Sequence, residues 1–185
     1  VFRIIDPSVK FEALVEDGAS VPGNRTPVAR ISGNARSILT AERTALNYIC
    51  RLSGIATLTA KYVALVAHTD AKICCTRKTT PGLRAFEKYA VRCGGAMNHR
   101  FGLDDMGMIK DNHVAAAGGL SAAVARYNAW AASSPHPVPL EVETKNLEEV
   151  REALSLTGIH RIMLDHFELG AMREAVALVG GRVEL

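Results

Sequence analysis

The chain has 185 residues, of which 48% are hydrophobic and 22% are charged, and its formal net charge is +3. This balance is typical of a soluble globular protein rather than of a disordered, fibrous or membrane protein. We see no apolar run close to the roughly 20 residues of a membrane-spanning helix, and no basic and then apolar leader. We therefore expect a cytoplasmic protein that has no membrane partner.

The cysteines are few for a chain of this length: Cys50, Cys74, Cys75 and Cys93. Two of them are adjacent, a spacing unlike that of disulfide frameworks or of zinc-binding C-x-x-C pairs. We therefore expect buried free thiols.

The first third of the chain predicts strands followed by helices. Its opening 34 residues mix short apolar stretches, such as Phe2–Ile5, with Gly and Pro turns, which favours strands and loops. Helical spacing of apolar residues begins near Ser37, with Ser37 and Thr40 available as N-caps and Gly54 as a stop. A second helix is expected after this stop, with one face lined by Ile55, Leu58, Tyr62, Leu65 and Val66.

Four short apolar stretches predict buried strands at residues 71–76, 138–144, 161–165 and 182–185. The last three begin about 22 residues apart, and each gap between them holds a segment of helical periodicity. Strand, helix and strand in this order predict parallel β/α units and therefore an α/β fold. The two main architectures that satisfy a parallel sheet are an open doubly wound sheet and a (β/α) barrel.

The positions of the polar residues favour the barrel. Arg77 and Lys78 follow the first predicted strand, Glu143 lies near the end of the second, and Asp165 ends the third. In a β/α barrel the carboxyl ends of the strands share one face, so these side chains would converge. An open sheet often has a glycine-rich first turn, which we do not find. A complete barrel takes about 250 residues, so we expect an incomplete barrel that lacks its C-terminal strands. The expected domains are an N-terminal partial α/β sandwich with connecting helices at residues 1–69 and the partial barrel at residues 70–185.

Two basic segments suit anionic ligands. In Thr76–Gly82, Arg77 and Lys78 lie among hydroxyl groups before a Pro-Gly turn, which suits a phosphate or a carboxylate. In Gly94–Arg100, the glycines allow close backbone approach and His99 and Arg100 add hydrogen-bond donors. A solvated basic turn is the alternative for the first segment, and a glycine pair alone is weak evidence for the second.

Three further charged positions admit two interpretations each. Lys110 follows an apolar stretch and is either a partly desolvated cation or a surface partner of Asp111. Glu143 and Asp165 could bind ribose hydroxyls, hold Mg²⁺ through water or stabilise positive charge on a sugar. They could instead pair with Lys145 or Arg161 on the rim. Glu141 would face the same side of the strand as Glu143, so spacing does not choose between these two. Aromatic residues for stacking are scarce, which argues against nucleic acid as a partner.

Several ordered segments together resemble the quinolinate phosphoribosyltransferase family, and the resemblance covers nearly the whole chain. Those that carry it are Ala41–Asn47 (AERTALN), Leu52–Thr57 (LSGIAT), Thr76–Arg84 (TRKTTPGLR), Glu87–Ala90 (EKYA), Gly94–Arg100 (GGAMNHR), Ile109–His113 (IKDNH), Glu141–Glu143 (EVE) and Leu164–Asp165. The resemblance implies an N-terminal α/β sandwich followed by an open α/β barrel, in a homodimer with shared active sites. It also implies a transferase that uses Mg²⁺ and converts quinolinate and phosphoribosyl pyrophosphate to nicotinate mononucleotide, pyrophosphate and CO₂ in NAD biosynthesis.

The resemblance also assigns roles to single residues. Arg43 would reach into the neighbouring subunit's site. The carboxylates of quinolinate and the phosphates of the second substrate would be received by Arg77, Lys78, Thr79, His99, Arg100 and Lys110. Glu143, rather than Glu141, matches the first acidic position, and Asp165 matches the second, near the ribose hydroxyls and the metal. Lys78, Lys110, Glu143 and Asp165 would take part in catalysis.

Two residues depart from the family pattern, which usually has Asp at Cys75 and Asn at His166. The first change is expected to weaken the orientation of Arg77. The family's glycine-rich phosphate-binding segment is expected beyond Leu185. A related family found with molybdenum-transport genes varies around the segment that here reads Lys110–His113, so its intact sequence favours the quinolinate enzymes. A non-catalytic binding subunit with the same fold remains an alternative.

Overall fold

The computed structural model describes residues 1–23 and 25–185, which form two compact units, Val1–Phe101 and Gly102–Leu185. Each unit mixes helices and strands and has its own cluster of buried apolar residues. The predicted α/β class is therefore confirmed.

The first unit begins with a short helix, a hairpin and a long helix. In chain order these are α1 (Phe2–Ile5), β1 (Lys10–Ala13), β2 (Ala29–Ser32) and α2 (Ala35–Val66), followed by β3 (Cys74–Cys75), α3 (Arg84–Cys93) and β4 (Met97–Asn98). Strands β1 and β2 pair antiparallel, whereas β3 and β4 pair parallel. Phe2, Val9 and Ala41 are buried together between α1, the hairpin and α2.

The prediction of strand or loop at Phe2–Ile5 is wrong, because this segment forms α1. Four residues are too few to show a period, and tertiary contacts decide the conformation. Phe2 is buried against α2, and the Asp6 carboxylate that follows α1 accepts a hydrogen bond from Ser37 Oγ at 2.8 Å.

One helix replaces the two predicted around Gly54. Helix α2 begins after Asn34, whose Oδ1 accepts hydrogen bonds from the N–H groups of Arg36 (2.9 Å) and Ser37 (3.4 Å), so neither Ser37 nor Thr40 is the cap. The helix then continues through Gly54 to Val66. A glycine inside a helix costs only about 1 kcal/mol, which the contacts of a 32-residue helix outweigh.

Helix α2 is also more apolar than the sequence suggested. Its most apolar 18-residue window has a mean hydropathy of 1.4, and 6% of this window is buried, so by length and composition the helix could cross a membrane. The expectation that no segment is long enough is therefore corrected. Length and composition are weak evidence for a membrane span, because core helices of soluble proteins meet the same criteria.

The second unit alternates strands and helices. It contains β5 (Gly107–Ile109), α4 (Asp111–Ala117), α5 (Leu120–Ser133), β6 (Leu140–Thr144), α6 (Leu147–Ser155), β7 (Arg161–Leu164) and α7 (Leu169–Val179). The strands form a parallel sheet in the order β5–β6–β7, with Ile109 opposite Val142 and Val142 opposite Ile162. Leu140, Val142 and Ile162 are fully buried in the core of this unit.

The predicted elements of the second unit are mostly confirmed. The spacing of apolar residues correctly predicted β6, β7, α6 and α7. Their parallel β/α order agrees with part of a barrel. The strand predicted at 182–185 is reduced to one parallel bridge between Glu184 and Arg161.

The cysteine prediction is half right. All four residues are free thiols, but Cys50 and Cys74 are exposed and Cys75 and Cys93 are half-buried. Cys50 lies on the long, mostly exposed α2, where no neighbouring layer covers it.

Candidate active site

In the first unit, the structure brings the two predicted basic segments to one edge. Strand β3 runs parallel to β4, with Cys75 opposite Asn98. Arg77, Lys78 and Thr79 follow the carboxyl end of β3, and the segment that begins with His99 and Arg100 follows the carboxyl end of β4. Parallel pairing therefore gathers cations that lie more than 20 residues apart in the sequence.

The segment after β3 is held in a turn by hydrogen bonds within the segment. The Thr79 N–H donates to Arg77 O at 2.8 Å, and the Lys78 N–H donates to Thr76 Oγ1 at 3.1 Å. The Leu83 N–H then closes the next turn on Thr80 O at 3.0 Å. This geometry leaves the Lys78 side chain exposed.

An ion pair between α2 and α3 fixes this turn from behind. Arg51 Nε donates to Glu87 Oε1 at 3.1 Å, and Arg51 Nη2 donates to Thr80 Oγ1 at 2.6 Å. The other oxygen of Glu87 accepts the Thr80 N–H at 3.2 Å. The hydrogen bond from Arg51 is the largest cause that lowers the pKa of Glu87 below its ordinary value, and the bonds from Thr80 act in the same direction.

Arg84, at the start of α3, ties the two basic segments together. Its Nε donates to Thr79 Oγ1 at 3.2 Å, and its Nη2 donates to Arg77 O at 3.4 Å. Its Nη1 donates to Phe101 O at 3.1 Å. Sequence reasoning gave no roles to Arg51, Arg84 or Glu87. The signal that could have found Arg84 and Glu87 is their spacing of three residues on a helix that starts directly after the Pro-Gly turn.

In the second unit, Lys110, Glu143 and Asp165 lie at the carboxyl edge of the β5–β6–β7 sheet. Lys110 directly follows β5, Glu143 is the fourth residue of β6, and Asp165 directly follows β7. The Asp165 N–H donates to Thr144 O at 2.9 Å, which extends the strand pairing to this edge.

Lys110 and Glu143 form an ion pair through Lys110 Nζ and Glu143 Oε2. The Glu143 side chain is 9% exposed and that of Lys110 is 42% exposed, so the pair is open to solvent on the lysine side. The Lys110 N–H donates to His113 Nδ1 at 2.9 Å, which caps α4. Lys110 therefore keeps a charged group accessible while its backbone is fixed.

The rim pairings that the sequence left open are made by other carboxylates. Lys145 Nζ contacts Asp111 Oδ2 at 3.2 Å, and Arg161 Nη1 contacts Glu141 Oε2 at 3.3 Å. The Asn112 N–H and then Lys145 lower the pKa of Asp111. Glu141 is buried and pairs with Arg161, whereas Glu143 pairs with Lys110 at the carboxyl edge of the sheet.

Asp165 is 34% exposed and contacts His166 Nδ1 through Oδ1 at 2.9 Å. His166 itself has a φ of 55°, in the left-handed region. Asp165 therefore lies at a turn and its carboxylate is partly exposed.

The structure does not group Arg43 with the other cations. Arg43 is exposed on α2. It precedes Arg51 by eight residues, which is about 12 Å along the helix axis.

The acidic edge suits a metal only in part. Among the described residues, no group of three or more His, Cys, Asp or Glu side chains could hold a metal ion by itself. Mg²⁺ usually keeps several waters and binds one or two carboxylates together with substrate phosphates. Glu143 on β6 and Asp165 directly after the adjacent strand β7 fit that manner of binding and do not form a complete protein cage.

Comparisons with known proteins agree with both units. Residues 1–53 match the model of the quinolinate phosphoribosyl transferase N-terminal domain, and residues 55–184 match that of the C-terminal domain. A probable nicotinate-nucleotide pyrophosphorylase (carboxylating) from Synechocystis sp. is 49% identical over 97% of this chain and 59% of its own length. The chloroplastic enzyme of that name from Arabidopsis thaliana is 44% identical over 100% of this chain and 56% of its own length.

Solved structures give the same result. NadC from Streptococcus pyogenes is 43% identical, with a TM-score of 0.90 over 98% of this chain and 63% of that chain. The nicotinate-nucleotide pyrophosphorylase from Francisella tularensis is 41% identical, with a TM-score of 0.91 over the same shares. The chain thus spans about three fifths of the length of these relatives.

Proposed function

The chain belongs to the quinolinate phosphoribosyltransferase family, and we propose that it carries substrate-binding residues of an enzyme that converts quinolinate and phosphoribosyl pyrophosphate to nicotinate mononucleotide, pyrophosphate and CO₂. In this direction the step is decarboxylating, and it belongs to NAD biosynthesis. One observation carries the proposal: in each unit, charged residues of the family motifs lie at the carboxyl ends of neighbouring parallel strands.

The charges suit these two substrates. Quinolinate carries two carboxylates and phosphoribosyl pyrophosphate carries several phosphate charges, so binding these substrates requires compensating cations. Arg77 and Arg100 offer planar forks that match carboxylate and phosphate oxygens, and Lys78 and Lys110 offer compact charges. Thr79 adds a hydroxyl group and His99 adds ring nitrogens that can form hydrogen bonds.

Transfer would begin when the bond between ribose C1 and the pyrophosphate oxygen breaks. Positive charge then develops on the ribose, and Glu143 and Asp165 would stabilise it while the pyridine nitrogen forms the new bond to C1. The 2-carboxyl group would next leave as CO₂, with the electron pair of the broken bond remaining on the ring carbon until that carbon takes a proton. The positively charged ring nitrogen stabilises this carbanion.

We include Mg²⁺ in the proposal, held through water by Glu143 and Asp165 together with substrate phosphates. The ion would supply charge neutralisation for the departing pyrophosphate. We also propose a homodimer with shared sites, because Arg43 projects from an exposed part of α2, where a second subunit could use it.

The test is release of CO₂ from carboxyl-labelled quinolinate in the presence of phosphoribosyl pyrophosphate and Mg²⁺. It would use this chain and a longer version that matches the full length of the relatives. Release by the longer version, abolished by Lys110→Ala and Arg100→Ala, would support both the function and the site. Near-normal turnover in both variants would overturn the site, and substrate binding without release would favour a binding subunit.

A further inference from the structure

A buried lysine joins the two basic segments of the first unit. Lys88, on α3, is 2% exposed and is among the largest fully buried side chains. Its Nζ donates to Cys75 Sγ at 3.0 Å and to the backbone oxygen of His99 at 3.0 Å. Cys75 is the last residue of β3, and His99 is the first residue after β4. One ammonium group therefore connects both strand ends where the predicted substrate residues begin.

Helix α3 makes this connection twice. Arg84 lies four residues before Lys88, hence on the same helix face, and it donates to Thr79 in the first basic segment and to Phe101, the residue after the second. In the part of the chain that the structure describes, neither Lys88 nor Arg84 has a carboxylate partner. Their acceptors are carbonyl oxygens, a hydroxyl group and a sulfur atom.

A charge buried without a counter-ion is costly, so a lysine in this position calls for an explanation. If Lys88 only filled space, a methionine of similar length would serve as well, because the stem of lysine is itself apolar. The specific contribution of Lys88 is the pair of hydrogen bonds from Nζ. Hydrogen bonds that involve a charged group are stronger than neutral ones, and these two span both strand ends.

We propose that Lys88 is a positioning residue for the reaction proposed above: it holds the ends of β3 and β4 together, so that Arg77–Thr79 and His99–Arg100 present their charges to one acidic ligand. Lys88 acts through Cys75 and the His99 backbone and does not itself reach the ligand. The role in substrate binding rests on the proposed function. The contacts that hold the ends of β3 and β4 together exist without a ligand, so they are tested first.

The first test is amide hydrogen exchange of this chain in the absence of ligand. Lys88→Met keeps the stem and removes both hydrogen bonds, so amides of residues 77–80 and 97–101 should exchange about tenfold faster. Amides of α2 should be unchanged, and Lys88→Arg should restore much of the protection. The matched control is Lys61→Met, which removes a lysine from an exposed position on α2. Unchanged exchange in both segments, or faster exchange only in step with global unfolding, would overturn the proposal.

The second test is calorimetric titration with quinolinate as the probe. Lys88→Met should raise the dissociation constant about tenfold, while Lys61→Met leaves it unchanged. In the longer version of the protein, the KM for quinolinate should rise more than kcat falls, since the chemical groups remain in place. Absence of quinolinate binding by the unaltered longer version would sink the proposed function, and the exchange result would still decide whether Lys88 fixes the two segments. Tight binding by Lys88→Met would refute the positioning role.

Discussion

Protonation of Glu87 would couple the pH of the medium to the structure of the turn at residues 76–82. One of its oxygens accepts hydrogen bonds from Arg51 and the other accepts the Thr80 N–H. Its side chain is 12% exposed, so these partners replace most of the water that the carboxylate would otherwise bind. The ionised form is therefore favoured in the folded chain, as the lowered pKa records.

We predict that Glu87 makes part of the stability depend on acid pH. Because the pKa is lower in the folded chain than the ordinary value of 4.5, the stabilisation is fully present above that value and is lost as the pH falls through the folded pKa. Urea unfolding between about pH 6 and pH 3 should show this loss. Glu87→Gln should lower the free energy of unfolding at neutral pH. It should also make that free energy fall less steeply between about pH 6 and pH 3, the acid limb of the pH profile.

Two variants serve as controls for this prediction. Arg51→Met removes the main cause of the shift and should flatten the same limb, whereas Lys61→Met on the same helix should leave it unchanged. An acid limb of equal steepness in Glu87→Gln and the unaltered chain would contradict the prediction.

His166 gives a second prediction, because its φ of 55° is a conformation that β-branched residues strongly disfavour. His166→Val should lower the free energy of unfolding by about 1–3 kcal/mol. His166→Asn should leave it nearly unchanged, since asparagine tolerates the left-handed region and the side chain of His166 is 91% exposed. Urea titrations would measure both, with His136→Val at an exposed position of ordinary φ as the control. Equal stability of the two His166 variants would show that this backbone turn is not strained.

Much of the site can be predicted at the residue scale, because residue type and position at a strand end are local properties. Glu143 and Asp165 lie at one edge as the sequence indicated, whereas Lys110 reaches this edge through β5, a strand that the sequence did not predict. The contact between Arg51 and Glu87 could not be found in this way. The two residues are 36 positions apart, and only the packing of α2 on α3 brings them together.

At the scale of elements, the junction of α2 and α3 depends on Gly94. A Cβ atom added at Gly94 would lie 2.6 Å from Ala56 O and 2.6 Å from Thr59 Cβ, both on α2. The φ of Gly94 is −78°, so the requirement for glycine is one of space and not of backbone conformation. The end of α3 can approach α2 this closely only without a side chain.

We therefore predict that Gly94→Ala lowers the free energy of unfolding by about 1–3 kcal/mol, the usual cost of forcing an extra carbon into a packed region. Gly54→Ala is the matched control. Gly54 lies inside α2 with no atom within 4 Å of an added Cβ, so this variant should be stabilised by up to about 1 kcal/mol. Chemical denaturation would compare them, and two effects of the same sign and size would contradict the packing argument.

The elements that periodicity found are those whose burial follows a simple pattern. Helices α6 and α7 alternate with β6 and β7 and bury one face each, so the spacing of apolar residues marked them. The strand predicted at 71–76 is reduced to the two residues of β3, and β4 was not predicted, because two residues are too few to show any period. Gly54 misled the prediction for a different reason, because a stop signal is overridden when the residues on both sides keep favourable helical contacts.

At the scale of the whole molecule, the outer surface of α2 is the most unusual feature. Leu58, Tyr62 and Leu65 are 56%, 53% and 70% exposed, and their spacing of four and three residues places them on one face of the helix. Contiguous exposed apolar surface of this kind generally marks a contact with another protein or with a membrane. We favour contact between copies of this chain, in agreement with the proposed homodimer.

We predict that the chain self-associates through this face in a concentration-dependent manner. Leu58→Lys and Leu65→Lys each place a charge in the apolar stripe, where burial against a second copy would leave it unpaired, so both should shift the sedimentation coefficient towards that of a monomer. Thr57→Lys adds the same charge at an exposed neighbouring position outside the stripe and should leave the association intact. Flotation with neutral lipid vesicles separates the other explanation: an unaltered chain that floats with vesicles and sediments as a monomer at every concentration would assign the stripe to a membrane. If the chain is monomeric and does not float, the stripe has neither role in this chain, and a homodimer would have to form through another surface.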